Sequence, residues 1–246
     1  MKTKIILLFL IVLFSIKNIY AQYPTVDKSK PSNFYSNYEN GIIYENNIKG
    51  DIMGYKGNLS YALSDRHLIS GEIPILYNDN FKEFGVSDMK YSYSYLPYKN
   101  YDKFFGTFLT SIEIIAPVGD YEKGLGTGRW LFSPSVTAGL MVNTNFQFFP
   151  SLAYQYRSGM ISDKHSLDMH GASFKIITPI VLNDEIYVHI IPNLFMCDFN
   201  KPDDIVYVQE ILVSYFMSKN MNFNMYYNVN FGTDIYLGRF SLKVYF

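Results

Sequence analysis

The 246-residue chain has one cysteine, Cys197, one tryptophan and few charges: 17 % of its residues are charged and the formal net charge is −1, against roughly 25 % charged in ordinary domains. One cysteine excludes an internal disulfide, and its place far from the amino terminus excludes a lipid-anchored terminal cysteine. With so little net charge and no basic patch, a nucleic-acid partner is excluded too. Long apolar runs are missing after residue 21. The longest, such as Ile112–Val118, are broken by Glu113 and Pro117, and a spanning helix needs about twenty apolar residues. Any membrane crossing must therefore be made by strands.

Reactive constellations are also scarce. The four histidines, His67, His165, His170 and His189, do not have the spacing of a metal set, so neither metal nor cofactor is expected. The stretch "GLGTG" lacks the Lys-Ser/Thr that a phosphate loop requires, and no helix is expected after it. "DKHSLDMHGAS" (Asp163–Ser173) gathers His165, Ser166, Asp168, His170 and Ser173. Three residues apart on one strand, His170 and Ser173 point to opposite faces, whereas a nucleophile and its base need hydrogen-bond reach. No catalytic residue is assigned and an enzyme is not expected; a lipid-modifying enzyme is the third-ranked function.

What is present begins with Lys2 and Lys4 before the apolar run Ile5–Ile16, followed by Ala21 at a cleavage position. That is the pattern of a secretory signal peptide over residues 1–21, with too short a run for an anchor. Residues 22–36 are polar and carry Pro24 and Pro31, as a flexible lead-in or a plug would. The rest, 37–246, alternates. In "MNFNMYYNVNF" (Met221–Phe231) apolar side chains occupy every second position, and Asn222, Asn224, Asn228 and Asn230 stand between, with Tyr226 the exception. A period of two sends each set to one face of a strand.

Alternating segments recur, each about ten residues long, at approximately 53–64, 68–77, 88–97, 105–117, 129–142, 146–157, 169–182, 185–198, 205–217 and 221–231, before the final "RFSLKVYF". Short and long connectors alternate between them, as the periplasmic turns and external loops of outer-membrane barrels do. By parity the 53–64 segment descends toward the periplasm, so an ascending strand precedes it, and Tyr38–Ile48 is the candidate. The expectation is a transmembrane antiparallel up-and-down β-barrel of about twelve strands in the bacterial outer membrane, with ten as the alternative if one segment is a loop or plug. The 18 % aromatic content suits interfacial girdles. Pro74, Pro134, Pro150, Pro179 and Pro192 fall inside strands, where local bulges are expected.

In such a barrel the apolar face meets lipid and the polar face lines the lumen. Lys or Arg at mid-bilayer on the lipid face would cost about 2–4 kcal/mol, which sets the orientation of each charged strand. The candidate lumen residues are Glu72, Lys90, Glu113, Arg129, Arg157, Lys175, His189, Glu210, Asn224, Asn228 and Lys243. Phe240, Leu242, Val244 and Phe246 form the outward face of the last strand and its terminal phenylalanine, the form of signal read by the barrel-assembly machinery. Outer-membrane lipid and that machinery are the expected partners, with a small-molecule solute. The first-ranked function is a passive channel, and the alternative is an occluded structural or surface-binding barrel.

Three stretches carry a family resemblance: "FGVSDMKYSYSYLPY" (Phe84–Tyr98), "IIAPVGDYEKGLGTGRWLFSPSV" (Ile114–Val136) and "SLAYQYRSG" (Ser151–Gly159). Their matching residues are Gly85 and Asp88, Pro117 and Gly119, and Leu125, Gly126 and Gly128. They resemble outer-membrane barrels named as transporters of the meta-cleavage pathway of phenol degradation, and related barrel families of unknown function. The resemblance covers about residues 55–160 and implies a barrel and a transport role.

Overall fold

The computed structural model describes residues 32–47, 50–143, 146–161, 165–201, 205–232 and 235–246. The signal-peptide expectation for 1–21 and most of the 22–36 segment therefore lie outside the described residues. Alternation of small polar and bulky apolar side chains leaves no helical face anywhere in 37–246, and strands form throughout. They are β1 (Asn37–Asn47), β2 (Gly50–Ser64), β3 (His67–Asn78), β4 (Glu83–Val86), β5 (Met89–Lys99), β6 (Phe105–Ala116), β7 (Leu131–Met141), β8 (Gln147–Arg157), β9 (Met169–Val181), β10 (Ile186–Met196), β11 (Ile205–Ser218), β12 (Met221–Asn230) and β13 (Ile235–Tyr245).

All pairings are antiparallel and join neighbours in sequence, except that β5 follows β4 against β3; β1 also pairs with β13, and β2 with β3, so the sheet closes on itself. Closure leaves no edge. The thirteen segments make twelve walls, because β4 and β5 lie successively against the same strand: β4 pairs with Ile75–Asn78 and β5 with His67–Glu72. This corrects the expectation of a long connector over 78–87. Half of it is strand, and the turn is confined to residues 79–82, where Lys82 takes the left-handed conformation at φ 54°.

The proline expectation is met at one position of five. Between the pairs Glu72↔Lys90 and Ile75↔Val86, two residues of β3 including Pro74 oppose three on the neighbouring wall, a bulge. Pro134, Pro150, Pro179 and Pro192 cause no shift of register; Ile112↔Pro134, Pro150↔Ile176, His189↔Pro179 and Pro192↔Gln209 are ordinary partners. A proline lacks one donor, and one missing bond does not move a ladder held on both sides. The other bulges, at Ala62/Ser64, Tyr95/Tyr98, Phe105/Thr107 and Phe216/Ser218, gather near the barrel end where Ser36 and Phe246 meet. We call that the periplasmic end and the other the external end.

Inside and outside are inverted relative to a water-soluble sheet. Sixteen polar or charged residues are buried against nine hydrophobic ones, while Leu59, Ile73, Leu152, Met225 and Phe240 stand roughly half exposed on the outer face. An apolar exterior of that extent around a polar interior requires a non-aqueous surround.

Candidate functional site

The lumen is built from the inward half of each strand's alternation, and its charges form a belt over half the circumference. At the seam between first and last strands, Glu39 accepts from Lys243 Nζ at 2.8 Å and lies 3.6 Å from Arg239 Nη2. Ser241 Oγ and Asn224 Nδ2 donate to the same carboxylate oxygen, Oε1. Next around the wall, Lys56 meets Glu72 at 2.7 Å, Glu72 stands directly opposite Lys90, and Lys90 reaches Glu113 at 3.5 Å. Signs therefore alternate from β13 to β6, each charge beside its opposite. In a confined lumen such pairing removes the cost of an isolated charge.

Glu210 is held differently: it accepts from Asn193 Nδ2 at 3.1 Å and from the Tyr226 hydroxyl at 2.8 Å. Tyr226, the break in the Asn ladder, is thus itself an inward residue, with Arg239 over its ring at 5.1 Å. Asn222 and Asn224 are fully buried, and Asn228 donates to the Tyr226 hydroxyl. His189 is buried, with Nε2 unpartnered. Glu39, Lys56 and Arg239 were not among the sequence candidates. Arg239 shares the parity of Ser241 and Lys243 and could have been read from it.

Overlapping the belt and running on from it, the wall from β3 to β9 carries hydroxyls. Ser70 bonds Ser92 at 2.6 Å, Ser111 bonds Ser135 at 2.7 Å and Thr137 donates to Ser151 at 2.9 Å. Small cross-strand hydroxyl pairs satisfy one another without filling the interior. A cavity of about 360 Å³ remains beside them, reached also by Glu113, Lys175 and Gln155.

At the external end, the connector 117–130 folds into the mouth. Leu125, 3 % exposed, packs with Ile43, Ile52 and Leu76, all inward residues of β1 to β3, and Leu237 joins them. The latch is Asp88. Its Oδ1 accepts from Gly119 N at 3.0 Å, and its Oδ2 from Thr127 N and Thr127 Oγ1, both at 2.7 Å. Glycine is required at position 119, where a Cβ would stand 2.3 Å from the Leu125 carbonyl oxygen; at Gly85 a Cβ would come to 3.0 Å from Leu125 Cδ1, a tight contact with a movable side-chain end. Asn78, fully buried, reaches the Gly124 carbonyl at 3.4 Å. The residues that carried the family resemblance thus converge on one structure, the loop's seat.

The periplasmic mouth is narrowed by the chain's own entry. Ser32 is buried, bonds the Tyr101 hydroxyl at 3.0 Å and reaches the cavity; Tyr101 also donates to Asn33. Ser36 ties the entry to both neighbours, accepting from Ala62 N and Phe246 N.

One candidate stands apart from the lumen wall. Arg129 lies beyond the external end of β7, which starts at Leu131, and donates to the carbonyls of Ser158 and Leu167 and to Ser166 Oγ. It ties two external loops together and is not a strand position. Arg157, the last residue of β8, binds the Cys197 carbonyl and Gln155. Cys197 itself follows β10 rather than lying in the wall. Of the Ser/His group, His170 bonds the Tyr154 hydroxyl and lies against the Tyr156 ring, whereas Ser173 is buried and reaches the cavity. Asp168 accepts from Gly159 N and the Tyr156 hydroxyl, which hold its carboxyl below the ordinary range. Among the described residues no cluster of metal ligands occurs.

No protein-family model matches the chain, and no curated protein sequence does. Solved structures do. The COG4313 outer membrane channel from Pseudomonas putida F1 superposes with TM-score 0.63 at 12 % identity, over 90 % of this chain and all of that one. The NanC porin gives 0.60 at 10 % identity, over 86 % and 98 %. The KdgM porin, in complex with disordered oligogalacturonate, gives 0.58 at 10 % identity, over 85 % and 99 %. These likenesses do not confirm the phenol-pathway family, and identities this low establish architecture alone. By fold, the chain is a closed twelve-walled antiparallel barrel, the architecture of these outer-membrane structures.

Proposed function

We propose that the protein is a passive outer-membrane channel for a small polar solute. The observation that carries this reading is the hydroxyl-lined cavity beside a fully paired charge belt, inside an apolar exterior. Purified protein in planar bilayers is expected to give discrete conductance steps in KCl, and proteoliposomes to admit small solutes. Folded protein without current or uptake overturns the channel reading. The alternative, an occluded structural barrel, draws support from Leu125 at one mouth and Ser32 at the other, and the same measurement decides between them.

Assembly gives a second test. Phe240 and Val244 lie exposed on the outer face of β13, Leu242 shares their parity, and Phe246 follows. A face of this kind suits recognition by the barrel-assembly machinery. Deleting Phe246, or Phe246→Asp, is expected to lower the amount of folded barrel in membranes, seen as loss of the heat-modifiable gel band. Equal folded amounts from both versions contradict the terminal-signal reading.

A further inference from the structure

We infer that the lumen cavity takes an uncharged, polyhydroxylated solute of about monosaccharide size, in preference to an anion or a cation of the same size; this rests on the channel reading above. Ten serine and threonine hydroxyls reach the cavity, with one carboxylate, Glu113, and one ammonium, Lys175. The net charge of its wall is therefore zero.

An anion-selecting wall needs several cations with free N–H groups; here the belt cations already have carboxylates, and of the cavity's own lining only Lys175 lacks one within ion-pair distance among the described residues. Lys56 is engaged by Glu72, Lys90 by Glu113, and both Lys243 and Arg239 by Glu39. A carboxylate solute could borrow those cations only by uncovering their partners, and it would shed its own hydration while doing so, a large cost for a charged group. An amine faces the same balance with the sign reversed, since Glu113 is shared with Lys90 and Glu39 is surrounded.

Hydroxyl chemistry fits the wall instead. Each Ser or Thr hydroxyl both donates and accepts, so it exchanges bonds with a solute hydroxyl as readily as with water. Ser111, Ser133, Ser135, Thr137, Ser151 and Ser173 present that chemistry on four neighbouring strands, β6 to β9. Such bonds are individually weak once exchange with water is counted. A ladder of weak, equivalent bonds lets a polyol enter and also leave, which is the requirement for conduction. Phe149 and Phe195 at the cavity edge offer apolar surface to the C–H faces of the same solute.

The test compares uptake of labelled glucose, gluconate and glucosamine by proteoliposomes whose KCl conductance has been measured. Glucose is expected to enter several-fold faster than either charged analogue. Thr137→Val, which removes one hydroxyl and keeps the shape, is expected to slow glucose. Glu113→Gln unpairs Lys90 and leaves the wall positive, so it is expected to shift the preference toward gluconate. A conducting barrel that admits gluconate or glucosamine as fast as glucose, or whose preference ignores both substitutions, overturns this inference alone. Absence of both current and uptake removes the channel reading, and this inference with it.

Discussion

Glu39→Gln is expected to destabilise the folded barrel by about 3 kcal/mol, near the lower end of what breaking a buried ion pair costs. Three features set that size. Glu39 faces two cations within ion-pair distance, Lys243 at 2.8 Å and Arg239 at 3.6 Å, and its side chain is 12 % exposed. Neither cation has another carboxylate within ion-pair distance among the described residues. Both are only about a fifth to a quarter exposed, which leaves some water to offset the loss. The carboxylate also accepts from Ser241 and Asn224, so it binds β1 to β12 and β13 across the seam where the ends of the chain close the sheet. The amide keeps the shape and one acceptor, so loss of charge is isolated from loss of packing. A lower urea midpoint for the refolded barrel is the readout. Glu39→Gln combined with Lys243→Met is expected to recover part of the loss, because one stranded cation goes with its partner. An unchanged midpoint for Glu39→Gln would mean that lumen water, rather than the carboxylate, carries the two cations.

That this seam was not visible beforehand has a local cause. In "YENGIIYENNI" Glu and Asn occur at both parities: Glu39 points inward while Asn40 beside it takes the outward parity, so the polar residues name no face. On β12 the asparagines share one parity and the face is plain, and Tyr226 obeys the same rule once an aromatic with a hydroxyl is admitted as a lumen residue. Strand positions were therefore legible wherever alternation was clean. Closure by twelve walls followed from counting, because each wall needs about ten alternating residues to cross.

Outside the strands that rule has no purchase. Leu125, between Gly124 and Gly126, has no neighbours at a spacing of two that would mark it as an inward residue, yet it is among the most buried side chains of the barrel. The signal for the loop's seat lay in the resemblance motifs, as residues of unassigned purpose. Asp88 and Gly119 are thirty-one positions apart, and the pairing of β5 with β6, Met89 opposite Ala116, brings them together. The prolines show the converse error. Each was read as a local break, but a strand paired on both sides keeps its register through one missing donor.

Asp88→Ala is expected to release the 117–130 loop from the external mouth and raise the single-channel conductance several-fold. Few contacts hold the loop in the mouth. Leu125 packs against inward residues of β1 to β3, and the 3.4 Å contact from Asn78 to the Gly124 carbonyl adds little. The three bonds to the Asp88 carboxylate are charge-assisted, and they join the two ends of the loop to one point on the wall. Without them Leu125 is a single anchor in the middle of a long tether. Asp88→Asn keeps the shape and can still accept, so a smaller rise is expected from it. Leu125→Cys paired with Ile52→Cys, in a Cys197→Ala background, supplies the control: oxidised, the loop is held down whatever residue occupies position 88, and reduction restores the larger current. If Asp88→Ala conducts as the parent does, and the cross-link changes nothing, solute passes outside the area the loop covers, along the hydroxyl wall of β5 to β9 alone.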